Sequence, residues 1–543
     1  MGVLRFQRIP FRSSVGSSGL TQAALTLLLI ICCSTQEYRA PPFIPNISFL
    51  WAWNIPSEGC AVNFNVHLDL NLFSLVGSPR KNARGQNITI FYNNRLGYYP
   101  YIEDKTGKVM DGGLPQTGNL IKHLAKVRKD IDHYIDVDMT GLGVIDWENW
   151  RPLWIRNWKP KDIYKNLSIE LVHQQHAELN DTEAAKKAKA DFESAGRCFM
   201  ETTLKLVKDL RPNYLWGFYL FPDCYNGFKE IDYNGSCPDI EKKRNDKLDW
   251  LWKESTALFP SIYLSSKFES TLKAALYVRN RVLEAIRISE VHSVKHPLPV
   301  FVYTRPVFAD IDLKYFSEED LVNTIGETVS LGASGMVMWG GLNVSQNVQY
   351  CTDLDNYLKS TLNPYIINVT LAAKMCNQAL CQDQGVCVRK HWNSSDYLHL
   401  NPENFVIQLE RNGKYTVQGE PTLEDLQQFS QNFHCACYAN VHCTERVDMS
   451  EVHTIKVCVP GDICIDTFLN SGPGGHPSSW KEKSATLSSI LSSPTSSICS
   501  VHPRRQYSFV FIISELCTKQ LKTTLIALMG FRTYYSKIWH LSY

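Results

Sequence analysis

The chain has 543 residues, 44% hydrophobic and 20% charged, with a formal net charge of +2. That is an ordinary globular composition, long enough for one large core with appendages. Near-neutral charge without a long basic block excludes a general nucleic-acid binder, so a polyanionic ligand would have to be met by a local basic groove.

The N-terminus comes first. Arg5, Arg8 and Arg12 precede the apolar stretch Ala23 to Cys33. This reads as a secretory signal peptide over 1–35, its apolar part too short to span a bilayer. Sequons at Asn46, Asn87, Asn166, Asn180, Asn234, Asn343, Asn368 and Asn393 agree with export. Seventeen cysteines are present, two of them (Cys32 and Cys33) in the signal. An oxidising compartment would let most of the others pair.

From Phe49 to about Gly341, short apolar runs alternate with helical patterns. Strands are expected at 49–53, 88–92, 143–147, 215–221, 261–264, 298–303 and 335–339. Leu120, Leu124, Val127, Ile131 and Tyr134 repeat at four-three spacing, one face of a helix. Ala188, Phe192, Ala195 and Phe199 do the same, and Tyr277 to Ile286 gives a third helix. Strands alternating with helices indicate a parallel sheet, closed into a barrel or doubly wound. Gly332-Ala333-Ser334-Gly335 precedes a strand, so it reads as a turn rather than a phosphate loop. The barrel is preferred because Asp146, Glu148, Tyr219, Asp223, Tyr263 and Trp339 fall at C-terminal ends of strands. Barrel enzymes place their chemistry there.

Asp146-Trp147-Glu148-Asn149-Trp150 is the most informative stretch. It ends the buried-strand pattern Leu142-Gly143-Val144-Ile145, and residues two apart on a strand point the same way. Each carboxylate raises the cost of ionising the other, so one holds a proton while the other stays charged. A proton donor beside a fixed anion is what glycosidic cleavage requires. Trp147, Trp150, Trp154 and Trp158 add flat faces of the kind sugar rings stack upon. An isolated Asp-x-Glu is more often a solvated pair at a strand end; the buried strand and the tryptophans favour chemistry here.

After Asn363-Pro364 the cysteines crowd: Cys376, Cys381 and Cys387, then Cys435, Cys437 and Cys443, then Cys458 and Cys464. This reads as a small disulfide-stapled module over 364–465. No paired C-x2-C knuckles with histidines at ligand spacing occur, so no metal is expected. From Ser471 the chain is Ser- and Pro-rich, with apolar runs at 509–513 and 525–531 too short to span a bilayer. It is taken as a tail over 466–543.

Phe49 to Asn54, Leu96 to Tyr101, Asp146 to Trp154, Leu215 to Asn226, Leu251 to Tyr263 and Trp339 together resemble the animal hyaluronidases, including their sperm-surface branch. The resemblance runs from the signal to about residue 465. It implies a distorted TIM-like (β/α) barrel over 36–363 with a long groove, and an EGF-like module beside it. It implies an endo-hydrolase of the β-1,4 bond between N-acetylglucosamine and glucuronate in hyaluronan, with chondroitin as a minor substrate. It also implies substrate-assisted retention, in which the 2-acetamido carbonyl attacks the anomeric carbon. No cofactor is needed.

By the same resemblance Glu148 is the general acid/base, and Asp146 orients and charge-stabilises the acetamido group. Tyr219 and Tyr263 hold that group or the transition state, Trp339 walls the pocket, and Asp223 is a further acid of the site. Tyr99 and Arg281 are implied in the groove, with Arg281 on a glucuronate carboxylate. The implied disulfides are Cys60–Cys351, Cys224–Cys237, Cys376–Cys387, Cys381–Cys435, Cys437–Cys443 and Cys458–Cys464. Cys198, Cys499 and Cys517 are left over, and Cys198, in a helical pattern, reads as a buried free thiol. Asn93-Asn94 and Phe259 depart from the family pattern without removing a catalytic group. The chain ends Tyr-Ser-Lys-Ile-Trp-His-Leu-Ser-Tyr, without the apolar tail of a glycolipid-anchor signal, which leaves membrane anchorage open. A monomer is expected, on the sperm surface if anchored and secreted otherwise. The rival reading is an adhesion protein that binds hyaluronan or an egg-coat glycoprotein without cutting it. Retention of both Asp146 and Glu148 favours the enzyme.

Overall fold

The structure is a computed structural model that describes residues 36–469. The expected signal peptide and the tail beyond 469, with Cys499 and Cys517, lie outside the described residues.

Strand β1 (Tyr38–Arg39) pairs with Cys437 and Tyr438 of the cysteine-rich region. Strands β2 (Leu50–Asn54), β3 (Leu75–Val76), β7 (Phe301–Thr304) and β8 (Gly335–Trp339) form one parallel sheet in the order β3-β2-β8-β7. Strands β4 (Ile88–Tyr92), β5 (Gly141–Asp146) and β6 (Tyr214–Phe218) form a second parallel sheet in chain order. Parallel bridges Tyr219↔Phe259, Leu258↔Val300 and Ser261↔Tyr303 run between β6 and β7. On the far side Gly77, just past β3, lies against the Ile88 backbone so closely that a Cβ would sit 2.5 Å from the Ile88 carbonyl oxygen.

The strands at 88–92 and 335–339 fall where expected. The strand expected at 261–264 is instead the run of bridges at 258–261, because Pro260 has no N–H to extend a ladder. One face of the strands, Leu50 and Ala52, Ile88 and Ile90, Leu142 and Val144, with Phe301, Tyr303 and Val337, packs into an inner cluster. The other face, including Trp51, Trp53, Phe91, Ile145 and Trp216, packs outward against helices. Burial on both faces explains why these strands read as unbroken apolar runs.

The three expected helices are present: α1 (Leu120–Tyr134), α2 (Asp181–Leu210) and α3 (Leu272–Ser289). Helix α1 starts where Asn119 caps the Lys122 amide at 3.0 Å, and α2 where Asn180 and Glu183 form a capping box. Cys198 on α2 is exposed, not buried as expected, because its neighbours Phe199 and Phe192 take the inward face.

From Val348 to Cys381 the chain is one helical run with a π turn at Leu358–Leu362, ending in α4 (Asn363–Cys381). The boundary expected near 363 therefore falls inside a helix, and no linker separates the two regions. Strands β9 (Gly385–Arg389) and β10 (Phe433–Tyr438) follow, antiparallel, with β1 added in parallel on the other edge of β10. All six implied disulfides are formed: Cys60–Cys351, Cys224–Cys237, Cys376–Cys387, Cys381–Cys435, Cys437–Cys443 and Cys458–Cys464.

Candidate active site

The site begins with two glycines. A Cβ on Gly143 would lie 2.3 Å from the Trp216 ring, and one on Gly141 would lie 2.1 Å from the Asn87 carbonyl oxygen. Glycine at these positions lets β5 seat tightly against β4 and the Trp216 side chain, and that fixes where Asp146 emerges. Gly143→Ala is expected to lose roughly 1–3 kcal/mol by overpacking against Trp216, read as a lowered midpoint in urea unfolding.

Asp146 is the last residue of β5 and lies opposite Tyr92 of β4. Its Oδ1 is buried without a partner among the described residues. Burial first, and then the charge of Glu148, push the Asp146 carboxyl well above the usual carboxylate range, while Arg151 pulls the other way. Glu148 lies two residues past the strand's end, so the same-face argument from strand geometry does not apply to it. Its side chain is 47% exposed; Arg151 Nη2 donates to its Oε2 at 3.1 Å and Arg151 Nη1 to its carbonyl at 3.0 Å. Lys161 Nζ donates to that carbonyl at 2.5 Å. The site therefore holds one buried carboxyl that resists ionisation beside one carboxyl open to solvent.

This sets a pH dependence. A carboxyl whose folded pKa is raised favours folding fully below its unfolded pKa, and that contribution is lost as pH rises through the folded value. Wild-type melting temperature should therefore fall as pH rises from the ordinary carboxylate range through the raised Asp146 value. Asp146→Asn should flatten that slope in a melting series from pH 4 to 8; an unchanged slope would mean the titrating group lies elsewhere.

Aromatic side chains wall the pair. The Tyr219 hydroxyl donates to Ser261 Oγ at 3.3 Å, and its ring lies 6.0 Å from Tyr263 and 5.1 Å from Tyr303. Tyr263 stacks on Trp339 at 5.9 Å, and Trp339 Nε1 donates to the Tyr92 hydroxyl at 3.0 Å. Tyr92 is the ladder neighbour of Asp146, so the Trp339 bond ends on the strand position next to the buried acid. Leu220, at φ 74°, turns the chain sharply at the end of β6, between Tyr219 and Asp223.

Two sequence assignments change. Arg281 is not a free groove cation: its Nη1 pairs with Asp223 at 3.4 Å and donates to the Ser261 carbonyl at 2.8 Å, and its Nε donates to Asn226 at 2.8 Å. Both Arg281 and Asp223 side chains are nearly buried, at 12% and 10% exposure. They brace the segments that carry Ser261 and Tyr219 from behind. Tyr99 is 0% exposed, stacked on Trp147 at 4.6 Å and Trp150 at 5.1 Å, with its hydroxyl accepting from the Trp150 amide at 3.4 Å. A side chain without solvent contact cannot line a groove, so Tyr99 sets the loop after Asp146. Sequence reading missed Arg151, Tyr92 and Ser261. Arg151 had a signal, a cation three residues past Glu148; the other two become visible only through strand register.

A buried carboxyl and an exposed carboxylate at the end of a parallel strand, walled by tyrosines and a tryptophan, are the equipment of a glycoside hydrolase. Comparison with known proteins gives the family. Residues 38–447 match the family described as hyaluronidase. The chain is 60% identical to Hyaluronidase PH-20 of Homo sapiens over 470 residues, 86% of this chain and 92% of the human protein. It is 57% identical to Hyaluronidase-5 of Mus musculus over 529 residues, 97% of this chain and 100% of the mouse protein. Bee venom hyaluronidase, solved in complex with a hyaluronic acid tetramer, superposes with a TM-score of 0.53 at 31% identity, covering 59% of this chain and 98% of that one. The chain belongs to the hyaluronidase family, and it is an enzyme of the glycoside hydrolase class.

Proposed function

We propose that this enzyme cleaves the β-1,4 bond between N-acetylglucosamine and glucuronate in hyaluronan by substrate-assisted, retaining catalysis, with Glu148 as acid/base and Asp146 as the acetamido partner. The observation that carries the reading is the division of the pair, a buried Asp146 whose carboxyl is pushed well above its usual range beside an exposed, Arg151-bound Glu148. With a sugar bound, the one proton that the pair shares is delivered through Glu148, the exposed member. Glu148 then donates that proton to the leaving glycosidic oxygen as the acetamido carbonyl attacks C1. The Asp146 carboxylate stabilises the cationic oxazolinium that forms. Water then attacks C1, losing its proton to Glu148 and regenerating the acetamide. The sugar product keeps its β configuration, so NMR of the nascent reducing end should show the β anomer first. An α anomer would mean direct displacement by water and would rule out the oxazolinium.

On the same reading Tyr219, Tyr263 and Trp339 form the acetamido pocket, and the succession of parallel strands and bridges is a distorted barrel with the pair at its C-terminal end. The cysteine-rich region is taken as the EGF-like module. Chondroitin fits the pocket as a minor substrate because it carries the same acetamido group. A role on sperm, in passage through a hyaluronan-rich coat and adhesion to egg-coat glycoproteins, completes the proposal. Among the described residues no helix is long and apolar enough to cross a membrane.

A further inference from the structure

Hyaluronan carries one carboxylate per disaccharide, and a groove that reads it needs a cation with free donors. The cations nearest the acid pair are already engaged. Arg281 is held by Asp223 and Asn226, Arg151 by Glu148, and Lys161 by the carbonyls of Glu148 and Asn149. Arg95 lies over the Tyr92 ring with its guanidinium turned to the carbonyls of Pro79 and Ile90.

Arg305 differs from all of these. It is the residue after β7, in register with the end of β8, so it emerges at the C-terminal end of the strands beside Trp339. Its guanidinium carbon lies 5.6 Å from the centre of the Trp339 ring. One long contact, 3.4 Å from Nη1 to the Ala309 carbonyl, is made at an exposed position, and its buried Nε has no partner among the described residues. No ion pair with a carboxylate forms there among the described residues. A guanidinium attracted to an indole ring keeps its in-plane donors free. The same indole stacks on Tyr263, which lies beside Tyr219, and its Nε1 bonds to Tyr92, the register neighbour of Asp146.

We infer that Arg305, set beside Trp339, is the specificity-determining residue that donates to a uronate carboxylate of the polymer next to the sugar seated at the acid pair. The inference rests on the hyaluronan reading above and adds the cation which that reading otherwise lacks. It makes Trp339 bifunctional, a wall for the sugar and a platform for the cation, and places charge recognition one ring away from bond cleavage.

The test compares wild type, Arg305→Gln and Arg305→Lys on two substrates: hyaluronan oligosaccharides, and the same oligosaccharides with their carboxylates converted to methyl esters. On the acid form Arg305→Gln should raise KM roughly tenfold with kcat falling less than about threefold, and Arg305→Lys should recover part of the loss. On the neutral ester all three proteins should cut with similar KM. Equal losses on both substrates, unrelieved by lysine, would reduce Arg305 to packing support for Trp339 and overturn the inference. No effect on either would also overturn it. A wild type that cuts neither substrate would instead refute the hydrolase reading itself, which keeps the two failures apart.

Discussion

Glu148→Gln is expected to lower hyaluronan depolymerisation by at least ~10²-fold across acid to neutral pH while leaving the melting temperature nearly unchanged. The amide keeps the shape of the side chain but cannot give a proton to the leaving oxygen. The site should tolerate it structurally because Glu148 is half exposed and its ion pair with Arg151 is an i,i+3 contact at the surface of the site, the kind that contributes little to stability. Arg151 would also keep its bond to the backbone carbonyl of residue 148. Run beside wild type, the variant separates three outcomes. Cutting by wild type alone supports the acid/base assignment. Binding without cutting by either makes the chain a lectin on a hydrolase scaffold. Equal cutting would mean that another group supplies the proton.

The largest expected effect on stability lies away from the acid pair. Glu327 is 0% exposed and is shared between two regions of the molecule. Arg279 of α3 donates to it at 2.5 and 3.1 Å, Arg389 at the end of β9 at 3.0 Å, and the Tyr397 hydroxyl at 2.8 Å. Arg389 also lies 4.9 Å over the Tyr397 ring and donates from Nε to the Asp396 carbonyl. One carboxylate thus compensates two guanidinium groups with almost no water. Glu327→Gln should cost ~3–5 kcal/mol, because it leaves both cations buried without a counter-charge. The checks are the unfolding midpoint in urea and the yield of folded protein. Replacing Glu327, Arg279 and Arg389 together with apolar residues of similar volume should recover most of the loss, since removing a whole buried ionic cluster is far less costly than breaking it. If the single change were neutral, water must reach the cluster.

Much of this was legible in the sequence, and the failures have physical causes. The strands at 88–92 and 335–339 are continuous apolar runs without proline, so their period and ends agree with the structure. The bridged stretch at 258–261 was misplaced because Pro260 interrupts its hydrogen bonding while leaving its burial intact. Asp146 and Glu148 were visible as a pair, but the strand's end falls between them, and only the fold shows one buried and the other exposed. Arg281 and Tyr99 failed for a shared reason. A long cation on a helix and an aromatic in a loop read alike whether they face solvent or the interior, and their partners, Asp223 and the Trp147–Trp150 pair, are distant in sequence.

Strand β1 bears on the order in which the molecule is assembled. Tyr38 and Arg39, among the first described residues, are laddered to Cys437 and Tyr438, and the Cys437 amide donates to the Glu37 carbonyl at 2.9 Å. Cys60 likewise waits for Cys351. During synthesis this segment emerges several hundred residues before its partners, so β1 stays unlatched until Cys437 and Tyr438 have been made. The chain is closed like a purse, by drawing an early segment into a sheet made about four hundred residues later, and a nascent chain interrupted before Cys437 would leave β1 without its partner strand.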